Sequence, residues 1–253
     1  MEWLVAHQLE CSRIELYARF DRPMSEEELL PLRELLKRRG QGEPLQHLLG
    51  IIEFFGREFT CDSRALVPRP ETEELVEAVL KLDLPHPTRL LDMGTGSGVI
   101  GITLGLSLAD RAPDIVLADI SPEALSLARE NAEKHGLKPT FLETDLLTNV
   151  EGQYHLITAN LPYVSEEERL TLSREVAHDP DLALFGGDDG LDAFRRFLPD
   201  VGCYLEPGGW LALEIGANQG PEVTAMAKGS GLDPVLLADD LSGNPRFVFA
   251  QRA

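Results

Sequence analysis

The sequence is short of cysteine, short of positive charge and without a long apolar run, and each shortage removes a class of protein. Three cysteines occur in 253 residues, Cys11, Cys61 and Cys203. They lie far apart, form no Cys-x-x-Cys pair, and their odd number rules out a complete disulfide framework. The six histidines show no His-Glu-x-x-His or similar spacing, so no metal site is expected. Lysine and arginine number 23 against 43 aspartates and glutamates, a formal net charge of −20. Such a chain repels phosphate, whereas nucleic-acid binders usually gain affinity by releasing counterions to a basic patch. No direct nucleic-acid partner is therefore expected. The longest apolar stretch, residues 99–109, is broken by glycine and serine and is too short to span a bilayer. Met1-Glu2-Trp3 lacks the basic start of a signal peptide. The expectations are no membrane partner and a reducing, cytoplasmic setting.

What is present reads as globular material. With 43% hydrophobic residues the chain can bury a core, and its length suits one large domain with a small appendage. Residues 1–50 read as a helical domain. Leu4, Leu9, Ile14 and Leu16 lead into a Ser25-x-x-Glu28 capping box. Leu29, Leu32, Leu35 and Leu36 follow near helical spacing, and Lys37-Arg38-Arg39-Gly40 closes the segment. Residues 51–70 read as a β-hairpin linker, with aromatic and β-branched residues over 54–67 around Cys61-Asp62-Ser63, closed by Pro68 and Pro70. A helix is expected from about Glu71.

Residues 71–253 form the main domain. From Thr88 onward strands and helices alternate: strands at 89–93, 114–119, 140–144, 154–159 and 210–215, with helices at 98–109 and from Ser121-Pro122 to Gly136. A second capping box, Ser165-x-x-Glu168, is expected to open another helix. Residues 235–237 and 246–250 read as an antiparallel pair at the end. The alternation predicts an α/β fold, a parallel Rossmann-like sheet with helices on both faces.

Leu90-Leu91-Asp92-Met93-Gly94-Thr95-Gly96-Ser97-Gly98 is a strand running into a glycine-rich turn. Such a turn after the first strand of a doubly wound sheet lies where nucleotides bind. Two cofactors fit it. Gly96-x-Gly98-x-x-Gly101, with Asp119 about 20 residues on, matches the dinucleotide pattern. The frame Asp92-x-Gly94-x-Gly96-x-Gly98 resembles instead the turn that lines S-adenosylmethionine in methyltransferases. Asp119 would accept from ribose hydroxyls in either frame. Asp145 separates them, because only in the second would its carboxylate lie near the adenine amine, with Leu146 beside the ring.

Asn160-Leu161-Pro162-Tyr163 follows the fourth strand. An amide nitrogen is a poor nucleophile because its lone pair is delocalised into the carbonyl. Two acceptors on its NH2 group would turn that lone pair towards an electrophilic methyl. Asn160 Oδ1 and the Leu161 carbonyl could be those acceptors. Pro162 would fix the loop's φ, and Tyr163 would pack against a planar target. Orientation and preorganised hydrogen bonds, rather than a strong base, would carry the catalysis.

With these motifs the chain resembles the HemK/PrmC family, protein-glutamine methyltransferases that modify peptide-chain release factors. The resemblance runs over Gly42-Glu43-Pro44-Leu45-Gln46, Pro68-Arg69-Pro70-Glu71-Thr72-Glu73, the turn at 92–98, Asn160 to Tyr163, Phe185-Gly186-Gly187-Asp188-Asp189-Gly190-Leu191 and Leu213-Glu214-Ile215-Gly216. It implies a class I methyltransferase sheet, with S-adenosylmethionine as cofactor and S-adenosylhomocysteine as product. Asp92, Gly94, Thr95, Gly96, Ser97, Gly98, Asp119, Asp145, Leu146 and Asn160 would bind that cofactor. Asn160, Leu161, Pro162 and Tyr163 would hold the glutamine of a Gly-Gly-Gln loop, with Arg69 and Glu71 near the site. The N-terminal helices would help to hold the release factor, and on this resemblance the sequence would begin inside the family's first helices. Leu161 stands where the family commonly has proline; a backbone carbonyl survives that change. Asn-Leu-Pro-Tyr is also familiar from RNA adenine dimethyltransferases. The alternatives are a ribosomal-protein glutamine, an exocyclic amine in RNA or DNA, a binding module without turnover, and a nicotinamide oxidoreductase.

Overall fold

The computed structural model describes residues 1–253. It opens with four helices, α1 (Glu2–Gln8), α2 (Arg13–Ala18), α3 (Glu26–Gly40) and α4 (Leu45–Leu49). The expected box at Ser25 forms: the Glu28 N–H donates to the Ser25 hydroxyl, and the Ser25 N–H to the Glu28 carboxylate. Ser12 and Glu15 repeat this arrangement at the start of α2. Each box satisfies N–H groups that a helix start leaves orphaned. These helices close on a small core of Leu4, Leu32 and Leu48.

The hairpin pairs β1 (Ile51–Phe54) with β2 (Arg57–Thr60). It lies earlier than the sequence reading put it. The turn is Phe55-Gly56, with φ of 51° and 68°, the positive pair of a two-residue hairpin turn. Cys61, Asp62 and Ser63 come after the second strand. Phe55 reads as strand material, and its left-handed backbone hid the turn.

After α5 (Pro70–Val79) comes a seven-stranded sheet: β3 (Arg89–Met93), β4 (Asp114–Asp119), β5 (Thr140–Glu143), β6 (Tyr154–Asn160), β7 (Leu205–Glu214), β8 (Leu232–Asp239) and β9 (Pro245–Arg252). Their spatial order is β5-β4-β3-β6-β7-β9-β8. The five from β3 to β7 run parallel, while β9 is antiparallel to both β7 and β8. The fold is thus the expected α/β sheet with an antiparallel C-terminal pair. Strand order reverses between β3 and β6, which opens a crevice at the strands' carboxyl ends.

Successive strand residues point to opposite faces. Leu91, Ile157 and Leu211 join one core, with Phe194 and Phe197 of α9 (Asp192–Val201) and Val223 of α10 (Gly220–Gly229). Leu90, Leu156 and Ala212 join the other, with Leu75 and Val76 of α5, Ile102 of α6 (Val99–Ser107) and Ala128 of α7 (Pro122–Lys134). The sequence reading did not include α8 (Asp181–Leu184), α9 or α10. The signal for α9 was present, because Phe194, Phe197, Leu198 and Val201 are buried at helical spacing. The box at Ser165 forms its hydrogen bonds but opens only a 3-10 turn, Glu167–Leu170, instead of the expected helix. No apolar stripe continues it, and Leu170 is 93% exposed. A capped turn without a face to bury does not propagate.

Candidate active site

A cavity of about 340 Å³ lies at the carboxyl ends of β3, β4, β5 and β6. Its floor is the glycine turn after β3. Gly94, Gly96 and Gly98 have φ of 66°, 56° and 83°, a left-handed path that L side chains rarely adopt. Gly94, Thr95, Gly96 and Ser97 line the cavity, while Gly98 serves as the left-handed N-cap of α6.

Asp92 does not reach the cavity. It is fully buried beneath the turn, where Oδ2 accepts from the Thr95 hydroxyl at 2.6 Å and from the Gly101 N–H at 3.1 Å. Oδ1 accepts from the Thr158 hydroxyl at 2.7 Å. Burial pushes this carboxyl up to about 6, against the pull of those three donors. Its place in the structure is to tie the turn to α6 and β6. Gly101 lies so close to β4 that a Cβ there would overlap a Leu117 methyl, the tight helix–strand approach such turns require.

Asp119 closes β4 and lines the cavity. Its Oδ2 accepts from the Gly96 N–H and its Oδ1 from the Ser121 N–H, both at 2.9 Å. Burial raises its pKa, and these N–H groups oppose that rise. A carboxylate has about four lone-pair sites, so both oxygens can still accept from vicinal hydroxyls. Asp145 and Leu146 follow β5 and also line the cavity. The Asp145 Oδ2 accepts from Arg196 at 2.6 Å, leaving Oδ1 for a ligand donor. Leu146 holds a φ of 50°, which presents its side chain at the wall.

Asn160, Leu161 and Pro162 form a further stretch of wall, next to the glycine turn on the neighbouring strand. Asn160 ends β6 in register with Glu214 of β7, and the Leu161 side chain is buried in the larger core. Tyr163 is not among the lining residues. Its ring packs against the core, and its hydroxyl points to Glu214 Oε1 at 3.5 Å. Burial pushes that hydroxyl up to about 12. Arg69 and Glu71 do not line the cavity either, although their neighbours Pro68 and Thr72 do. Arg69 donates to Asp179 at 2.5 Å, and Asp179 also accepts from the Val67 N–H at 3.1 Å.

The sequence reading missed the residues behind this wall. Thr72 donates to the buried Glu214 at 2.7 Å, and burial raises the Glu214 pKa. Glu214 lies in the Leu213-Glu214-Ile215-Gly216 motif, which by itself announces no role for it. Asp179, Arg196 and Gln219 carry no sequence signal, because the partners that place them at the site lie from 29 to 112 residues away.

The residues present fit a nucleoside-bearing cofactor. An Asp119 carboxylate with free lone pairs, a second carboxylate at Asp145 and a turn whose glycines leave its backbone open border one cavity. Its volume lies at the small end of the usual range for ligand sites, roughly 300–1,000 Å³.

Comparison with known proteins gives the lineage. Residues 1–50 match the model of the PrmC N-terminal domain, and residues 72–184 that of the methyltransferase small domain. The release factor glutamine methyltransferase of Deinococcus radiodurans is 44% identical over 219 residues, which are 86% of this chain and 78% of that one. The chain belongs to the release factor glutamine methyltransferase family. The Geobacter sulfurreducens relative of the same name is 39% identical over 98% of this chain and 87% of its own. The fold is also that of a Pyrococcus furiosus methyltransferase structure, with a TM-score of 0.58, 15% identity, and coverage of 79% of this chain and 90% of that one. The family's chemistry is methyl transfer, so this chain is a methyltransferase. No helix is long and apolar enough to cross a membrane.

Proposed function

We propose that this enzyme methylates the side-chain amide nitrogen of the glutamine in the Gly-Gly-Gln motif of a peptide-chain release factor, with S-adenosylmethionine as methyl donor. The observation that carries the reading is that Asn160, Leu161 and Pro162 line the same cavity as the glycine turn and Asp119, with Gly94 packed close against Leu161 and the Asn160 carbonyl. Family membership supports the substrate, since the relatives are named for it.

Gly94 to Ser97, Asp119, Asp145 and Leu146 would hold the cofactor, Asp119 accepting from ribose hydroxyls and Asp145 Oδ1 from the adenine amine. S-adenosylmethionine, when bound, supplies an electrophilic methyl group. The chain's own work is on the target amide. Asn160 Oδ1 and the Leu161 carbonyl accept the two N–H bonds of the target amide, which fixes the nitrogen's lone pair along the line of attack. Tyr163 stays protonated at neutral pH with its hydroxyl near 12, so the motif offers acceptors and no strong base. The one N–H proton that the amide must lose as it gains the methyl group would leave along its hydrogen bond to an acceptor oxygen and pass to solvent. The rate then comes from orientation and preorganised dipoles. Arg69, held by Asp179, and Glu71 would act on this wall from behind, near Tyr163, rather than touch the reacting atoms. The α1–α4 region, residues 1–50, would grip the release factor, and residues 51–70 would link it to the catalytic region, 71–253. The three cysteines are free thiols, which suits a reducing cytoplasm.

The test is mass spectrometry of a purified release factor after incubation with the enzyme and S-adenosylmethionine, beside a variant in which the motif's glutamine is alanine. The expected result is a gain of one methyl group on the first and none on the second. Equal gains on both would move the modification to another residue and sink the reading.

A further inference from the structure

The glycine-rich segment 185–191 lies against the target wall and lines the cavity beside it at Phe185, Gly186 and Gly187. A Cβ on Gly186 would overlap the Pro162 carbonyl oxygen, and one on Gly190 would overlap the Tyr163 carbonyl oxygen. Backbone bonds join the same parts, with the Val164 N–H donating to the Leu184 carbonyl and the Gly186 N–H to the Val164 carbonyl, both at 2.9 Å. The segment is therefore a bed for the Asn160–Pro162 wall, and glycine is what lets the two backbones meet.

One side chain stands where wall, bed and sheet converge. Gln219 is the N-cap of α10 and is 9% exposed. Its Nε2 donates to the Tyr163 carbonyl at 3.0 Å and to the Gly190 carbonyl at 3.1 Å. Its Oε1 accepts from the Gly216 N–H at 2.9 Å. An amide has two N–H donors and one carbonyl, and here each has a partner. The partners also fix its orientation, since a flipped amide would set its oxygen against two carbonyls.

We propose that Gln219 is a positioning residue for methyl transfer: it clamps the Tyr163 carbonyl to the glycine bed, and so sets the aim of the Leu161 and Asn160 acceptors. The proposal rests on the glutamine-methylation reading. Upstream, the wall is fixed by the Asn160–Glu214 register and by burial of Leu161. Downstream, the Tyr163 carbonyl is held by Gln219, two residues from the carbonyl that must meet the substrate. An error of about 1 Å in such a contact costs on the order of a hundredfold in rate.

Gln219→Glu separates this role from mere packing, because the shape is kept and the donors are changed. Ionised, the new side chain has no donor and faces two carbonyls. Protonated, it regains one. Burial beside carbonyls raises its pKa, so the protonated form becomes accessible at mildly acidic pH. The experiment measures turnover on intact release factor at saturating cofactor from about pH 6 to 8.5, for wild type, Gln219→Glu and Gln219→Ala, with cofactor affinity measured alongside. At the alkaline end Gln219→Glu should turn over at least about tenfold more slowly, as expected for lost donors to buried carbonyls, with cofactor affinity unchanged. Its deficit relative to wild type should shrink as pH falls, whereas that of Gln219→Ala should not. Wild-type turnover in both variants would overturn the clamp, and so would turnover and cofactor affinity falling together without pH dependence. A wild type inactive on release factor would overturn the substrate reading, and the clamp with it as a device of that reaction; an active wild type with equally active variants overturns the clamp alone.

Discussion

The two walls of the cavity are built by different means. The turn of the cofactor wall is knotted largely by its neighbours. Asp92 binds Thr95 and Gly101 three and nine residues away, and the Gly98 N–H returns to the Thr95 carbonyl, with Thr158 and Asp119 tying the knot to the adjoining strands. The target wall is three residues long, and its supports come from far along the chain: Glu214 and Thr72 behind Tyr163, and Gln219 on the Tyr163 carbonyl. A local turn keeps its shape by its own hydrogen bonds. A wall assembled from distant parts keeps its shape only through the packed domain. Binding of the cofactor and transfer of its methyl group should therefore come apart under mutation.

The largest separation is expected at Asn160. Asn160→Ala removes an acceptor whose value lies in the transition state, and losing one such preorganised contact costs roughly a hundredfold to a thousandfold in turnover. Cofactor affinity, set mainly by the glycine turn, Asp119 and Asp145, should stay close to wild type. Single-turnover methylation of release factor with a calorimetric titration of S-adenosylmethionine reads both quantities. Equal losses in the two would show that the walls are one unit and end the comparison.

Asp119→Ala should give the mirror image with a smaller effect. Hydrogen bonds to a charged group contribute roughly 1.5–3 kcal/mol, so cofactor affinity should fall about tenfold to a hundredfold. Turnover at saturating cofactor should remain near wild type. Unchanged affinity in the titration would remove Asp119 from the ribose site.

The same contrast explains what could be read from the sequence. β3, β4 and β6 were found nearly to the residue, and so was the turn between β3 and α6, because each is signalled by adjacent residues: an apolar run, glycines at fixed offsets, an aspartate at a strand end. Asn160 to Pro162 was equally legible as a motif. The orientation of Tyr163 was not. Nothing next to it announces that Glu214, 51 residues on, takes its hydroxyl. Gln219 is the extreme case, an ordinary glutamine before a glycine and a proline, given meaning by carbonyls 29 and 56 residues back. The hairpin turn failed for a third reason, since Phe55 adopts a backbone that its residue type seldom takes. Local chemistry is written locally, and supports that close over long loops are visible only once the sheet is assembled.

The foundation of the cofactor wall offers the finest test, one of slope rather than of activity. In the folded protein burial pushes the Asp92 carboxyl up to about 6, while an unfolded aspartate titrates near about 3.9. Between those values the folded chain keeps a proton that the unfolded chain has lost. Stability falls with rising pH wherever the folded state holds more protons, so the Asp92 contribution should decline from about pH 4 to about pH 6 and stay level above. Asp92→Asn removes the titration. Urea unfolding of both proteins across that range should show the variant gaining on wild type as pH rises to about 6, with a constant difference beyond. A difference that moves the other way would mean that Thr95, Thr158 and Gly101 outweigh burial and hold the carboxylate ionised. The turn would then be an electrostatic device, three donors gathered on a charge, rather than a hydrogen-bonded knot around a carboxyl that burial makes easier to protonate.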